Sequence, residues 1–285
     1  MNIAPLTLAL WQTPYAATPA EALQRLDDAA ARARAQGAQL LLCPEMGLTG
    51  YAIGAERVQA LAEPADGALA QAVAVIAQRH GLAIVYGYPE HNPLGPPFNA
   101  VQAIGPDGRS LARYRKTHLY GAMDRAQFSA GDAASQVFTW RGWHLGLLIC
   151  YDVEFPETVR LLALQGVDAV LVPTANMAAF DEVPQLLVPA RACENRVFVA
   201  YANACGEENG TAYGGLSTVA GATGAVLARA GRGEELLWVT LDPSALAAAR
   251  EHSYLEDRRS GLYGPLTGTP SALFRSRPLR APGPG

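Results

Sequence analysis

Short apolar runs of strand length alternate with segments of helical pattern along most of the chain. Residues 6–11, 40–43, 83–88, 100–104, 144–149, 169–172, 197–202 and 236–241 read as strands. Residues 18–36, 67–80, 156–164, 187–195 and 243–251 read as helices. The first helix carries its own punctuation: Thr18 as N-cap, Pro19 in the first turn, Glu21 closing a capping box and Gly37 after the end. Gly81 ends the second helix, and Pro243 opens the last. Pro106-Asp107-Gly108 turns a hairpin whose second arm, 110–114, leads to Lys116, and Ala222-Thr223-Gly224 turns another. Such alternation predicts an α/β protein with sheets covered by helices, and leaves the number of sheets open. The 285 residues, half of them hydrophobic, suffice for one large layered domain.

Two of these runs end on a residue with chemistry in it. Gln39-Leu40-Leu41-Leu42-Cys43-Pro44 delivers Glu45, and His144-Leu145-Gly146-Leu147-Leu148-Ile149 delivers Cys150, just before a helix opens near Pro156. Reacting atoms in α/β proteins gather at the carboxyl ends of strands. There a carboxyl loses water and its pKa rises toward that of a useful base, while a thiol beside a cation is a candidate nucleophile. The plainer alternatives are a carboxylate stepping into solvent and a Cys packed as a small hydrophobe. A third residue stands out by its rarity: of 22 lysines and arginines, only Lys116 is a lysine. Arg is a broad planar fork that stays charged, whereas Lys is a compact cation with a movable pKa. A single retained ammonium marks a place where that shape matters, or else a surface residue kept by chance.

Several function classes drop out. With a net charge of −4 and no basic stripe, no nucleic-acid partner is expected. No apolar run approaches the ~18 residues of a membrane span. The N-terminal residues show neither a basic segment nor a cleavage motif, and the four cysteines, Cys43, Cys150, Cys193 and Cys205, have no paired or metal-site spacing. A reducing cytoplasm is the expected setting, with neither metal nor other cofactor. Gly231-Arg232-Gly233 reads as loop rather than phosphate cradle. The domain is expected to span 1–265, with 266–285, rich in Arg, Pro and Gly toward its end, an extended or disordered tail.

Three blocks then carry a resemblance: Pro44-Glu45-Met46-Gly47-Leu48-Thr49-Gly50-Tyr51, Tyr114-Arg115-Lys116-Thr117-His118-Leu119, and Leu148-Ile149-Cys150-Tyr151-Asp152-Val153-Glu154-Phe155-Pro156-Glu157. In order and spacing the chain resembles the carbon–nitrogen hydrolase (nitrilase) superfamily from its first strand to about Tyr263. Within it, Ile84-Val85-Tyr86-Gly87-Tyr88-Pro89-Glu90 and the stretch from Lys116 to Arg125 are most similar to bacterial aliphatic amidases of the 5-aminopentanamidase and R-stereoselective kinds. The resemblance implies a four-layer α/β/β/α sandwich, two mixed sheets face to face with helices outside. It also implies a homodimer or higher assembly, and hydrolysis of small aliphatic primary amides, ω-amino amides included, to carboxylate and ammonia.

The implied roles fall on Cys150 as nucleophile, Glu45 as proton carrier and Lys116 as oxyanion partner, helped by the backbone N–H of Tyr151. Asp124 stands where many members carry a second acid that positions substrate; the alternative is a solvated acid beside Arg125. Asn176, which ends an apolar strand as Cys150 does, and Met177 are expected to line the pocket, with Asn176 as a turn former the alternative. Tyr51 and Tyr120 would wall the pocket or simply pack. Arg191, Glu194 and Asn195 read as structural, beneath the site. His118 and His144 raise a Cys–His pairing, but each is explained without it. Tyr151-Asp152 after the cysteine, as in amidases, argues against the nitrilases proper with their Trp-Glu. Two alternatives remain: an N-carbamoyl amine hydrolase using the same triad, and a catalytically silent binding protein on the same fold.

Overall fold

The computed structural model describes residues 3–268, which divide into one unit up to Ser253 and a second from Tyr254 onward. In chain order the first unit contains β1 (Leu6–Gln12), α1 (Pro19–Ala35), β2 (Leu40–Leu42), α2 (Ala55–Ala60), α3 (Ala68–His80) and β3 (Ala83–Glu90). Next come β4 (Phe98–Ile104), β5 (Ser110–Arg115), α4 (Gly121–Gln127), β6 (Phe138–Trp140), β7 (Trp143–Leu147), α5 (Pro156–Leu164) and β8 (Ala169–Thr174). It closes with α6 (Val188–Asn195), β9 (Phe198–Asn203), β10 (Cys205–Glu208), β11 (Thr211–Gly214), β12 (Thr218–Ala220), β13 (Val226–Arg229), β14 (Glu235–Leu241) and α7 (Pro243–Arg250). The second unit holds two short 3₁₀ turns, Ser260–Leu262 and Gly264–Thr267. Most of the expected tail lies outside the described residues.

Two six-stranded mixed sheets form, in the orders β14-β1-β2-β3-β4-β5 and β13-β12-β9-β8-β7-β6. Each has three parallel strands at its centre, β1-β2-β3 and β7-β8-β9, with antiparallel strands outside. The sheets face each other, with β1 against β9 and β2 and β3 against β8. α1 and α3 pack together over the first sheet, burying Leu26, Ala30, Val73 and Ile76 against Leu41, Ile84 and Ile104. α5 and α6 lie on the side of the second. This is the α/β/β/α sandwich, and burial of parallel strands on both faces explains why their sequences are unbroken apolar runs.

The first helix begins at Thr18, whose hydroxyl accepts the Glu21 N–H at 3.2 Å. The reciprocal bond goes one residue further back, from Ala17 N–H to the Glu21 carboxylate at 3.2 Å. Gly81 closes α3 in the left-handed region at φ 60°. Five elements carry too little pattern to be read from sequence: α2, α4, β6, β10 and β11. They are three to seven residues long, below the length at which periodicity speaks.

Topology decides what meets. β2 and β3 run parallel, β4 returns and β5 follows β3 again. The residues after β2 and β5 and those at the start of β4 therefore lie at one end of the first sheet. The carboxyl ends of β7 and β8 meet that end, because the Glu45 N–H donates to the Thr174 carbonyl at 3.3 Å.

Candidate active site

Glu45 follows β2 and is fully buried. Gly87 makes room for it: a Cβ there would lie 2.5 Å from the Met46 nitrogen. The Tyr15 hydroxyl donates to the Glu45 carbonyl at 2.7 Å and steadies the turn. Lys116, just past β5, has 0% of its surface exposed. Its ammonium donates to Glu45 Oε1 at 2.8 Å and to Asp124 Oδ2 at 2.7 Å, 5.6 Å from the Tyr51 ring centre. The lone lysine is thus no surface residue. Asp124 on α4 is also fully buried, and it accepts the Tyr51 hydroxyl at 2.6 Å and the Tyr120 N–H at 2.8 Å. Arg125 instead donates to the Gly121 carbonyl, so a solvated Asp124–Arg125 pair is ruled out.

Cys150 opens a 3₁₀ turn, Cys150–Glu154, directly after β7, with φ at 46°. The left-handed region is unfavourable for a residue with a Cβ, by about 1–2 kcal/mol. It lifts the sulfur out of the strand line, and 8% of the residue stays exposed. The Thr174 hydroxyl and the Ala175 N–H face the thiol. Burial pushes the Cys150 pKa up, Glu45 adds to this, and Lys116 opposes it, so the resting group is a neutral thiol.

The same causes act on its neighbours. Burial raises the Glu45 pKa; Lys116 and the bond from Asn99 pull it down, and the Asp124 charge raises it further. Burial alone would lower Lys116, but Glu45, Cys150 and Asp124 outweigh it and hold the ammonium firmly charged. A neutral thiol therefore stands near a carboxyl of raised basicity and a fixed cation.

Beside this cluster is a cavity of about 540 Å³, walled by Tyr120, Gly121, Met123, Met177, Ala178 and Thr211 among others. None of its lining residues is charged. Tyr120 joins it to the cluster: its N–H binds Asp124, and its ring packs edge-on against Tyr151 at 5.2 Å and Phe180 at 5.7 Å. Met177 is a wall residue. Asn176 is buried, with its side-chain amide donating to the Phe180 carbonyl at 3.0 Å and its N–H to Asn203 Oδ1 at 2.8 Å. It shapes the loop rather than the wall. Tyr51 is buried behind Asp124.

Residues read as supports act as such. Arg191 donates to the carbonyls of Val153 (3.0 Å) and Glu154, beneath the Cys150 turn, and Glu194 and Asn195 brace Arg191. His118 lies 2.8 Å from Asp152 and stacks on Phe155 at 4.0 Å, and His144 is largely exposed, 4.0 Å from Asp168. Asp152 had no role assigned from sequence. It is fully buried and accepts bonds from Tyr114, Thr117 and Ile149 as well as His118, tying the Lys116 loop to the Cys150 turn. Asn99 was also missed: it is a single polar residue at the start of a strand, and nothing local marks it. Among the described residues no cluster of His, Cys, Asp and Glu could hold a metal ion.

The fold and this cluster define an α/β/β/α hydrolase with a buried carboxylate, ammonium and thiol. The family model for carbon-nitrogen hydrolases matches residues 7–251, and the chain belongs to that family. It is 48% identical over 92% of both chains to a hydrolase from Pseudomonas protegens named for the pqqF 5′ region. It is 40% identical to an (R)-stereoselective amidase from a Pseudomonas species, covering 81% of this chain and 83% of that one. Among solved structures, a cysteine-to-alanine mutant of the amidase from Nesterenkonia sp. AN1 in complex with butyramide superposes with TM-score 0.77 at 39% identity. The match covers 90% of this chain and 95% of that one. The chain is accordingly an amidase of the nitrilase superfamily, a hydrolase acting on amides.

Proposed function

We propose that the enzyme hydrolyses small aliphatic primary amides through a Cys150 thioester. The observation that carries this reading is the division of the Glu45 carboxylate. Oε1 accepts Lys116 and Asn99, while Oε2 is buried with no hydrogen-bond partner among the described residues. A buried acceptor without a donor is costly, about 1–3 kcal/mol, and is kept where a proton is to be received.

Glu45 Oε2 takes the thiol proton as the sulfur attacks the amide carbon; the C–S bond forms and the carbonyl electrons move to oxygen. Two of the three Lys116 N–H bonds are engaged by Glu45 and Asp124, leaving the third for this oxyanion beside the Tyr151 N–H. Collapse breaks the C–N bond, Glu45 returns the proton to nitrogen, and ammonia leaves. Glu45 then deprotonates water, which attacks the thioester; the carboxylic acid departs and the thiol is restored. Asp124, held by Tyr51 and Tyr120, positions both Lys116 and the cavity wall. The uncharged cavity suits a neutral acyl chain.

We place the enzyme in the cytoplasm, where four free cysteines stay reduced, as a homodimer or higher assembly. Within the described residues no helix is long and apolar enough to cross a membrane. The test is ammonia release from butyramide, an ω-amino amide, an N-carbamoyl amine and a nitrile, by the wild type and Glu45→Gln. Hydrolysis of the amides, lost in the variant, is expected. Preference for the carbamoyl amine would replace this reading with that one, and silence on every substrate would favour a binding protein.

A further inference from the structure

We propose that Asn99 is a positioning residue for the reaction: it fixes which oxygen of Glu45 receives the proton, and it joins the base to the cation. This rests on the reading of Glu45 as the proton carrier. Asn99 is the second residue of β4 and is fully buried. Its Nδ2 donates to Glu45 Oε1 at 2.6 Å, and its carbonyl accepts the Lys116 N–H at 2.8 Å. One residue thus holds Glu45 by its side chain and Lys116 by its backbone.

Lys116 alone would leave the carboxylate free to turn about its bond, since a single ammonium can serve either oxygen. A second donor on Oε1, arriving from a different strand, removes that freedom and leaves Oε2 bare. The arrangement is kept at a cost, because Asn99 Oδ1 is itself buried without a hydrogen-bond partner among the described residues. A residue serving packing alone would be better apolar at this position. Its donor, used on a carboxylate, is what an apolar residue cannot supply.

The consequence is electrostatic as well as geometric. A donor on the charged form of Glu45 stabilises that form, so its removal makes the carboxyl harder to ionise. Lys116 and Asp124 still act on Glu45, and the other titratable groups that face it, Cys150, Tyr15, Tyr51, Tyr201 and Tyr213, are unchanged. Glu45 must be ionised to accept the thiol proton, so the acid limb of the kcat/KM profile reports this change.

The experiment compares wild type, Asn99→Leu and Asn99→Ala, recording melting temperature and the pH dependence of kcat/KM on the best amide. Iodoacetamide inactivation of Cys150 at each pH provides a readout independent of turnover. The expected result is a folded Asn99→Leu whose acid limb, in turnover and in alkylation, moves up by about one pH unit, with Asn99→Ala moving likewise. Folded variants whose acid limbs coincide with the wild type would overturn the proposal. Failure of both variants to fold would also overturn it, since that is what a purely structural residue would do. Glu45→Gln in parallel separates the two levels. If it turns over like the wild type, the reading of Glu45 fails; if it is silent while the Asn99 variants keep the wild-type limb, only the role of Asn99 fails.

Discussion

The two sheets contribute unlike halves of the site. The first sheet and the segment following it supply Glu45, Asn99, Lys116 and Asp124, all fully buried and bonded to one another. The second supplies Cys150, with 8% of its surface open, carried by a turn with φ at 46° and faced from its own sheet by the Thr174 hydroxyl and the Ala175 N–H. One half is fixed by charge pairing, the other by backbone geometry. The difference fits the roles proposed for them. A proton carrier keeps its raised basicity only while water is excluded, and a buried charge is tolerated only when paired. A nucleophile has to reach a carbon that arrives from outside. Exposed pairs such as Arg79–Asp27 show the contrast: without burial such a pair adds at most about 1 kcal/mol.

The sharpest way to break this division is to empty the second half. Cys150→Ala should fold normally and release no detectable ammonia, while Cys193→Ala and Cys205→Ala keep wild-type turnover. Turnover by Cys150→Ala would end the covalent route.

A smaller effect is expected within the charged half. Lys116→Arg keeps the charge and changes only shape and donor placement. Two carboxylate contacts of 2.8 and 2.7 Å on a fully buried ammonium leave no space for a guanidinium. A loss of at least about a hundredfold in acylation is expected from one misplaced oxyanion donor. Equal ammonia release by proteins of equal melting behaviour would refute the assignment of Lys116.

The smallest effect sharpens the boundary between the halves. Glu154 closes the Cys150 turn, and burial, with Glu182 adding, raises its pKa to about 7 against the opposing charges of Lys116 and Arg191. A carboxyl whose folded pKa lies above its unfolded one stabilises the fold at low pH. That contribution is lost as pH rises through about 7. Glu154→Gln, which mimics the protonated form, should therefore melt higher than wild type at pH 8, the gap closing toward pH 4. Calorimetry at the two pH values decides it; a gap independent of pH would show that Glu154 ionises as it does when unfolded.

Long elements were legible because each reads locally. The apolar runs of β1, β3, β8 and β9, and Thr18 with Pro19 at the head of α1, gave themselves away. Glu45 and Cys150 were legible as chemistry-bearing ends of apolar runs, and Lys116 by its rarity. The short elements left no such trace. α4 is seven residues long, yet it is what removes Asp124 from solvent and presents it to Lys116. Asn99 and Asp152 carry no local signal of their function, because their partners lie 54 and up to 38 residues away.

The sequence by itself determined the longer strands, the long helices and the identities of three chemical groups, since these depend on periodicity and on side-chain type. Tertiary structure alone decided that they meet: the direction of β5 relative to β3, the facing of the two sheets, and the close approach allowed at Gly87. It also moved their pKa values. The same Glu, Lys and Cys in water would titrate at ordinary values. Shared burial raises the Glu45 carboxyl and the Cys150 thiol, and the two carboxylates hold the ammonium between them charged.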